Sequence, residues 1–434
     1  MTVTYDPAHP AYLDETDLRQ ELSRVYDLCH GCRLCLSLCP AFPTLFDLID
    51  ARDGAVDQLT AAEQDRVVDE CYQCKLCYVK CPYVPPHEWQ LDFPRLMLRA
   101  ESVRHQKRKG LPGLRARLTD QALARTDLLG RIGTSTSRVT NAAIGAPGSL
   151  VRRAMSRTVG LAADRVLPPY ARTRFSTWFK RRAGSALGRE QQARVAVFPT
   201  CLVEYQNPAI GQDLVKVYEH NGVDCGLVDA GCCGAPWLHS GDHERFARQA
   251  ARNVGALADA VRAGNDIVVP QPTCGYVLKH DYPDYLRTAD ADLVAEHTYD
   301  SSEYLWRLHR GEGTTLDTEF PGEVPETTAY HVPCHLQAQK IGLRSRDLLK
   351  LTGTRVTLVQ KCSGIDGTWG LREENYPLAR EVARPLKSAI EEADAAVVVG
   401  DCQLANGAIV QETGKTPRHP LQALARAYGL PEEP

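Results

Sequence analysis

Two runs of cysteine constrain this chain more than anything else in it. Cys29, Cys32, Cys35 and Cys39 follow the pattern C-x-x-C-x-x-C-x-x-x-C, and Pro40 comes next. Cys71, Cys74, Cys77 and Cys81 repeat it and are followed by Pro82, each 42 residues after its counterpart (Cys71 after Cys29, Cys81 after Cys39). This is the spacing of a pair of [4Fe–4S] sites. Three thiolates at two-residue gaps wrap one face of a cubane, and the fourth, before a chain-turning proline, reaches the other cluster. The spacing therefore predicts one cluster on Cys29, Cys32, Cys35 and Cys81, and a second on Cys71, Cys74, Cys77 and Cys39. Structural zinc also uses C-x-x-C pairs, but two identical, proline-terminated runs of four favour the cubane.

The remaining cysteines point the same way. The chain has 434 residues and 16 cysteines. Met1 to Pro10 has no basic stretch leading into an apolar one, so a cytoplasmic location is expected. In that compartment so many thiols argue for metal or redox chemistry rather than a disulfide scaffold. At 43% apolar and 24% charged the chain is neither disordered nor fibrous. Its longest apolar runs, such as Ala395 to Val399, are too short to cross a bilayer.

Helices surround the quartets in the predicted local structure. Leu18, Leu22 and Val25 fall on one face of a helix over Asp14 to Leu28. Thr60-Ala61-Ala62-Glu63 reads as a capping box that opens a second helix. An α-helical ferredoxin over residues 1–94 is the expected result. Lys75 and Lys80 are read as solvated surface residues; their alternative role is to favour the reduced state of a nearby cluster.

Charge is unevenly spread. Residues 95–194 hold 22 Lys and Arg against 5 Asp and Glu, a net +17, and the rest of the chain carries −20. Residues 95–190 are expected to form a helical basic region with loops at Gly110-Leu111-Pro112-Gly113, Gly145-Ala146-Pro147-Gly148 and Pro168-Pro169. Phe175, Trp178 and Phe179 stand at helical spacing before Lys180-Arg181-Arg182. Such a stripe either lies in a membrane interface, on the inner face and near a quinone, or docks on the next domain. An acidic protein partner fits the charge equally well. Nucleic acid is not expected, because no recognition motif accompanies the scattered charges.

The C-terminal part reads as two copies of one unit, over 191–310 and 328–434, joined by the Gly- and Pro-rich stretch 311–327. Copy one runs strand (Val195 to Phe198), Cys201, helix, strand (Val223 to Val228), Cys232-Cys233-Gly234, long helix (Glu244 to Arg262), strand (Ile267 to Val269), Cys274. Copy two runs strand (Ala329 to Val332), Cys334, helix, strand (Arg355 to Val359), Cys362-Ser363-Gly364, helix (Pro377 to Glu392), strand (Ala395 to Val399), Cys402. Alternating elements of this kind imply parallel sheets whose carboxyl ends gather the cysteines. The fold class expected for the whole is a multidomain α+β protein: a helical ferredoxin, a basic helical middle and two tandem α/β cysteine-rich repeats.

Tandem Cys…Cys-Cys-Gly…Cys units after two ferredoxin quartets resemble the cysteine-rich iron–sulfur oxidoreductases. That group includes the C-subunit of anaerobic glycerol-3-phosphate dehydrogenase, the iron–sulfur components of glycolate and lactate oxidases, and the heterodisulfide reductases. Pro272 to Lys279, Tyr330 to Leu336 and Cys362 to Gly370 are most similar to the first of these. The family motif has five cysteines per copy in its fullest form. Here Val277 and Ala405 take the last place, and Ser363 replaces another. Cys201, Cys232, Cys233 and Cys274 remain as a set of four, enough for a further iron–sulfur cluster or a zinc ion. Cys334, Cys362 and Cys402 remain as three in a degenerate copy: they hold a [4Fe–4S] cluster with an open iron or with His331, His335 or Ser363 as fourth ligand, or the copy is a scaffold without metal; for His335 a hydrogen-bonding role is preferred. Cys225 falls outside the pattern and is expected to be a small buried side chain.

No dinucleotide-binding glycine fingerprint, phosphate-binding loop or nucleophile elbow is present. The reading is therefore an electron-transfer component of an oxidoreductase. It relays single electrons between a partner, expected to be a flavoprotein dehydrogenase, and a quinone or second protein such as a diiron peroxidase of the rubrerythrin kind. Two other readings stay open: a self-sufficient heterodisulfide-type reductase with its open iron at Cys334, Cys362 and Cys402, and a non-redox scaffold with zinc in copy one.

Overall fold

The computed structural model describes residues 2–108, 110–311, 313–365 and 367–432. Asp14 caps the first helix by accepting from the Asp17 N–H, and α1 (Glu15–Cys32) buries Leu18, Leu22 and Val25. The helix runs beyond the expected end at Leu28 and carries Cys29 and Cys32 on its last turn. α2 (Ala41–Asp50) follows Pro40. The Thr60–Glu63 capping box opens α3 (Ala61–Asp69) as expected. α4 (Leu76–Lys80) and α5 (Phe93–Lys107) complete a helical layer whose core joins Leu22, Phe42, Phe46, Val67, Phe93 and Met97. The 42-residue repeat extends to the backbone: Arg33 and Lys75, at matching places in the two quartets, both take positive φ, 52° and 65°. Each turns the chain back on itself within its C-x-x-C-x-x-C run.

The basic middle is helical: α6 (Gly110–Ala124), α7 (Thr126–Ser135), α8 (Ser137–Ile144), α9 (Leu150–Val159) and α10 (Phe175–Arg181). The loop expected at Gly110 to Gly113 is instead the first turn of α6. Pro112 sits where a helix has no use for its missing N–H, so proline there is compatible with helix. Loops do occur at 145–149 and 168–169. The aromatic stripe faces inward. Phe175 is fully buried, and Trp178 and Phe179 pack on the same core as Val203, Leu214 and Tyr218. Of the two expectations for that stripe, docking on the next unit is the one observed.

Two parallel sheets follow. β1 (Ala193–Val197) leads through α11 (Cys201–Tyr205) and α12 (Pro208–His220) to β2 (Val223–Leu227). Then come α13 (Ala235–His239), α14 (His243–Arg262), β3 (Asp266–Val269), α15 (Pro272–Tyr276), α16 (Tyr282–Leu286), α17 (Ala289–Glu296), β4 (Thr298–Asp300) and α18 (Ser301–Arg310). The second unit has β5 (Thr327–His331), α19 (Cys334–Ala338), α20 (Arg344–Leu351), β6 (Arg355–Val359), α21 (Tyr376–Glu392), β7 (Val397–Gly400), α22 (Gln403–Thr413) and α23 (Pro420–Ala427). Strand orders are β2-β1-β3-β4 and β6-β5-β7, parallel throughout. The three-strand order is the same in both copies, and each reverses direction between its first and third strands. In such sheets ligands gather outside the carboxyl ends of the strands at that reversal.

The two copies share a core. Leu421, Leu424 and Tyr428 at the end of the chain pack with Val217, Tyr218 and Leu305 of the first copy. The fourth strand of the first sheet, β4, has no counterpart in the second among the described residues. No helix among the described residues is long and apolar enough to cross a membrane.

Candidate functional site

The quartets group crosswise. Cys29, Cys32, Cys35 and Cys81 line one small cavity, closed by Leu28, Phe42, Phe46 and Leu91. Cys39, Cys71, Cys74 and Cys77 line another, closed by Leu38, Tyr72, Phe93 and Pro94. Burial, followed by the nearby thiols of Cys35, Cys81 and Cys32, pushes the Cys29 thiol up. Burial and then Cys74, Cys71 and Cys39 do the same to Cys77. Cys35, less enclosed, is pushed up to about 11 by burial and by Cys81 and Cys32. Crowded thiols of this kind resist ionising together, and a cation among them removes the penalty. Cys32 is exposed, with Leu34 and Leu36 exposed beside it. The first cavity therefore lies at the surface, while Cys74 and Cys77 of the second are buried.

Lys75 departs from expectation. It is buried, its ammonium donates to Gln73 Oε1 at 2.6 Å, and it lies over the Tyr276 ring. Gln73 in turn donates to the Pro94 carbonyl at 3.2 Å and toward Cys71 Sγ at 3.6 Å. The αL turn at Lys75 directs the side chain inward against copy one, which sequence spacing alone does not reveal. Lys80 is exposed, as expected.

The second quartet faces copy two across a cavity of about 580 Å³. Cys39 and Cys74 line one side; Cys334, Cys362 and Cys402 line the other. Each of the latter three follows a strand: Cys334 starts α19, Cys362 follows β6 and Cys402 precedes α22. Tyr72 bridges the two sides. It is buried against Trp369, with ring centroids 5.1 Å apart, and the Cys362 thiol reaches its hydroxyl at 3.5 Å. The Gly364 N–H donates to Cys362 Sγ at 3.3 Å, and the Gln271 amide donates to Cys402 Sγ at 3.2 Å.

The candidate fourth ligands differ in what they offer. His331 is buried, and its Nε2 pairs with the Lys361 carbonyl at 3.0 Å. That bond makes Nε2 the protonated nitrogen and leaves Nδ1 a bare, buried acceptor with no hydrogen-bond partner. His335 Nδ1 instead lies 3.2 Å from Thr273 Oγ1 and 3.9 Å from Cys334 Sγ. Burial pushes His331 down to about 4 and, with Lys75 nearby, His335 down to about 3, so both rings are neutral. Ser363 lines the same cavity.

In copy one, Cys201, Cys232, Cys233 and Cys274 meet at the wall of a fourth cavity, of about 470 Å³. Cys201 starts α11 after β1, and Cys274 lies in α15 after β3, the two strands at the reversal. Hydrogen bonds from Cys201 and then Cys233 hold Cys232 well below the usual thiol range, and the Gly234 N–H adds a bond at 3.5 Å. Hydrogen bonding to Cys232, together with burial, pushes Cys201 and Cys233 up. The Cys232-Cys233 loop is pinned from three sides. Asn253 donates to the Cys232 carbonyl at 2.9 Å and accepts from the Gly231 N–H at 3.1 Å. Tyr282 donates to the Cys233 carbonyl at 3.0 Å, and Asp127 of the basic middle accepts from the Cys232 N–H at 2.8 Å.

Among the described residues no three His, Cys, Asp or Glu side chains stand close enough to share a single metal ion; the thiols ring cavities instead. Cys225 is buried in the sheet core and donates to the Val223 carbonyl at 3.7 Å, away from all of these sites. Sequence reasoning missed Tyr72, Asp127, Asn253, Gln271 and Tyr282. Tyr72 alone carried a signal, as a large aromatic between two cysteines of a quartet. The others act through folding that brings distant segments together.

Comparison with known proteins identifies the domains that carry these cysteines. Residues 195–279 and 328–405 match the model of a cysteine-rich domain, and residues 21–108 match a Fer4-like domain described from citrate utilization protein B. The C-subunit of the anaerobic glycerol-3-phosphate dehydrogenase of Escherichia coli is 31% identical over 317 residues, 72% of this chain and 78% of that protein. The B-subunit of the fumarate reductase (CoM/CoB) of Methanothermobacter marburgensis is 26% identical over 223 residues, 50% of this chain and 42% of that protein. Lactate utilization protein A of Bacillus pumilus is 25% identical over 221 residues, 48% of this chain and 87% of that protein. With the cysteine-rich repeat found twice, a Fer4-like unit ahead of it and a relative matched along most of its length, the chain belongs to the family of iron–sulfur electron-transfer proteins that includes the C-subunit of anaerobic glycerol-3-phosphate dehydrogenase.

Proposed function

We propose that this chain relays single electrons between a flavin-bearing dehydrogenase and a second acceptor, with iron–sulfur clusters held by its cysteine sets. The observation that carries the reading is the crosswise grouping of the quartets. Cys81 stands with Cys29, Cys32 and Cys35, and Cys39 with Cys71, Cys74 and Cys77. A pair of ferredoxin [4Fe–4S] sites calls for that exchange of fourth ligands. Two identical, proline-terminated runs of four cysteines suit a pair of polynuclear clusters better than zinc. In this reading Cys201, Cys232, Cys233 and Cys274 hold a further cluster, and Cys334, Cys362 and Cys402 another, with His331 Nδ1 as the fourth donor.

Bound clusters supply one-electron exchange. The chain's own residues fix order and access. Exposed Cys32, flanked by Leu34 and Leu36, presents the first site to a donor. Tyr72 packs the second site against copy two, and Gln271, which touches Cys402 and lines the copy-one cavity, connects the two copies. The units 1–94, 95–190, 191–310 and 328–434 act as ferredoxin, basic middle and two cysteine-rich copies. The sequence carries no evident hydride-handling motif, which leaves the organic substrate to the dehydrogenase partner.

The test is Cys74→Ser in anaerobically prepared protein, with reduced flavoprotein partner as donor. The expected result is reduction of the exposed first cluster with loss of transfer to the cysteine-rich copies. Unchanged reduction of those copies contradicts the order proposed.

A further inference from the structure

The two quartets share spacing, backbone turn and the closing proline, so their cysteines alone give no reason for the two centres to differ. Their neighbours do differ. Forty-two residues before Lys75 stands Arg33, and forty-two before Gln73 stands Gly31. Arg33 and Lys75 share the αL turn, but their side chains go to opposite environments. The Arg33 side chain is 42% exposed and pairs with Asp50, itself half exposed and also held by His30. A solvated ion pair of that kind casts little field on its surroundings. Gly31 has no side chain to offer Cys29.

At the second quartet both places are filled and buried. Gln73 is 5% exposed and Lys75 3%. The Lys75 ammonium donates to Gln73 Oε1 at 2.6 Å, and the Gln73 amide nitrogen donates toward Cys71 Sγ at 3.6 Å. The cation thus polarises the one amide that faces a quartet sulfur, in a medium that does not screen it. Its other neighbour is the Tyr276 ring, two residues beyond Cys274, and that ring stands 5.5 Å from the ring of His335, beside Cys334. The ammonium therefore sits where the ferredoxin unit meets both cysteine-rich copies.

No carboxylate pairs with Lys75 directly among the described residues. Asp92 is taken by Arg95 at 3.5 Å, and Asp281, buried nearby, leaves Oδ2 without a hydrogen-bond partner. A buried ammonium without a close counter-ion is costly. Four thiolates around an iron–sulfur cluster carry net negative charge and offset that cost, more so with each electron added.

We propose that Lys75, acting through Gln73, raises the potential of the inner centre at Cys71, Cys74, Cys77 and Cys39 above that of the surface centre at Cys29, Cys32, Cys35 and Cys81, so that electrons entering at the surface run inward. This deepens the relay reading and rests on it. Each step moves one electron: the surface centre is oxidised by one as the inner centre is reduced by one, with no bond formed or broken and no proton moved. Lys75 and Gln73 are positioning residues here, because they act on the centre through its sulfur.

Redox titration of the full chain, prepared anaerobically and followed by electron paramagnetic resonance, tests this. Cys32→Ser assigns the surface signal and Cys74→Ser the inner one. In wild type the inner midpoint is the higher. Lys75→Met lowers the reduced-to-oxidised ratio of the inner centre about tenfold at a fixed potential, a shift of about 59 mV for one electron, and leaves the surface midpoint in place. Gln73→Met shifts the inner midpoint in the same direction, and Lys75→Arg, which keeps the charge, holds it near wild type. Arg33→Met, the matching change at the solvated place, leaves both midpoints where they were. Equal midpoints in wild type, an inner midpoint unmoved by Lys75→Met, or equal shifts from Lys75→Met and Arg33→Met overturn the inference. If Lys75→Met does not fold, Gln73→Met decides: an unmoved inner midpoint overturns the proposal. Wild type without any reducible cubane signal fails the relay reading instead, whereas two such signals with an unmoved inner midpoint fail this inference alone.

Discussion

Asn253→Leu isolates what holds the Cys232-Cys233 loop in place. Asn253 is 1% exposed, on the buried face of α14. Leucine is close in shape, but it removes the two short bonds to backbone, Nδ2 to the Cys232 carbonyl at 2.9 Å and the Gly231 N–H to Oδ1 at 3.1 Å, and a longer one from Nδ2 to the Gly231 carbonyl at 3.4 Å. Tyr282 keeps its own bond to the Cys233 carbonyl, so its hydroxyl is not orphaned. A buried backbone group left unpaired costs about 1–3 kcal/mol, so the pair costs about 2–6 kcal/mol. Urea unfolding of anaerobic protein, followed by circular dichroism and by visible absorbance, reads the effect. The absorbance assigned to copy one should be lost at lower urea than in wild type, with the quartet signals little changed. Gln249→Leu is the control. Its amide reaches Asn253 Oδ1 at only 3.4 Å and it is half-buried, so its cost stays under about 1 kcal/mol. If Asn253→Leu unfolds with the control, the pinning argument is wrong.

The other predictions follow from single contacts. Tyr72→Phe keeps the ring against Trp369 but removes the hydroxyl that accepts from the Cys362 thiol at 3.5 Å; if Cys362 ligates a cluster as proposed, its sulfur has no proton to give and the hydroxyl can only donate to it, so losing that donor lowers the potential and redox titration should show the copy-two centre becoming harder to reduce. Gly241→Ala is strongly destabilising, because at φ +81° its Cβ would run into the Glu101 carbonyl oxygen where α5 abuts copy one; a fall in thermal midpoint checks it. Burial pushes Asp213 up to about 6, against Lys216 and Arg426, which lower it. The folded state then holds that proton more tightly than the unfolded state, so this group's contribution favours folding at low pH and is lost as pH rises from about 4 through about 6. Asp213→Asn should flatten that part of the stability–pH curve, measured by urea midpoints between pH 4 and pH 7.

Much of this architecture is legible in the cysteines and in periodicity. The exchange of Cys39 and Cys81 between cavities follows from a local rule about spacing. The strands of both copies show as apolar runs before cysteines, and their ends fall within about two residues of those expected. β4 does not show, because Thr298-Tyr299-Asp300 is too short and polar to stand out; it forms only because β3 offers a free edge. Lys75 misleads for a related reason. A lysine between cysteines reads as solvated until the αL turn buries it against Tyr276. The first turn of α6 is hidden by Gly110, Pro112 and Gly113, which mark loops in most settings but are tolerated at a helix start. The aromatic stripe at Phe175 suggests a membrane contact where the structure shows docking on the next unit. Aromatics beside basic residues look alike whether they meet lipid or a neighbouring domain, and only burial separates the cases.

Iron and acid-labile sulfide analysis with electron paramagnetic resonance, on wild type and Cys74→Ser prepared without oxygen, tests the central claim most directly. The quartets should account for about eight irons in two reducible, interacting cubanes, and the variant should lose about four of them together with the interaction. Zinc in place of iron, or a variant that keeps the full iron content and both signals, contradicts the account.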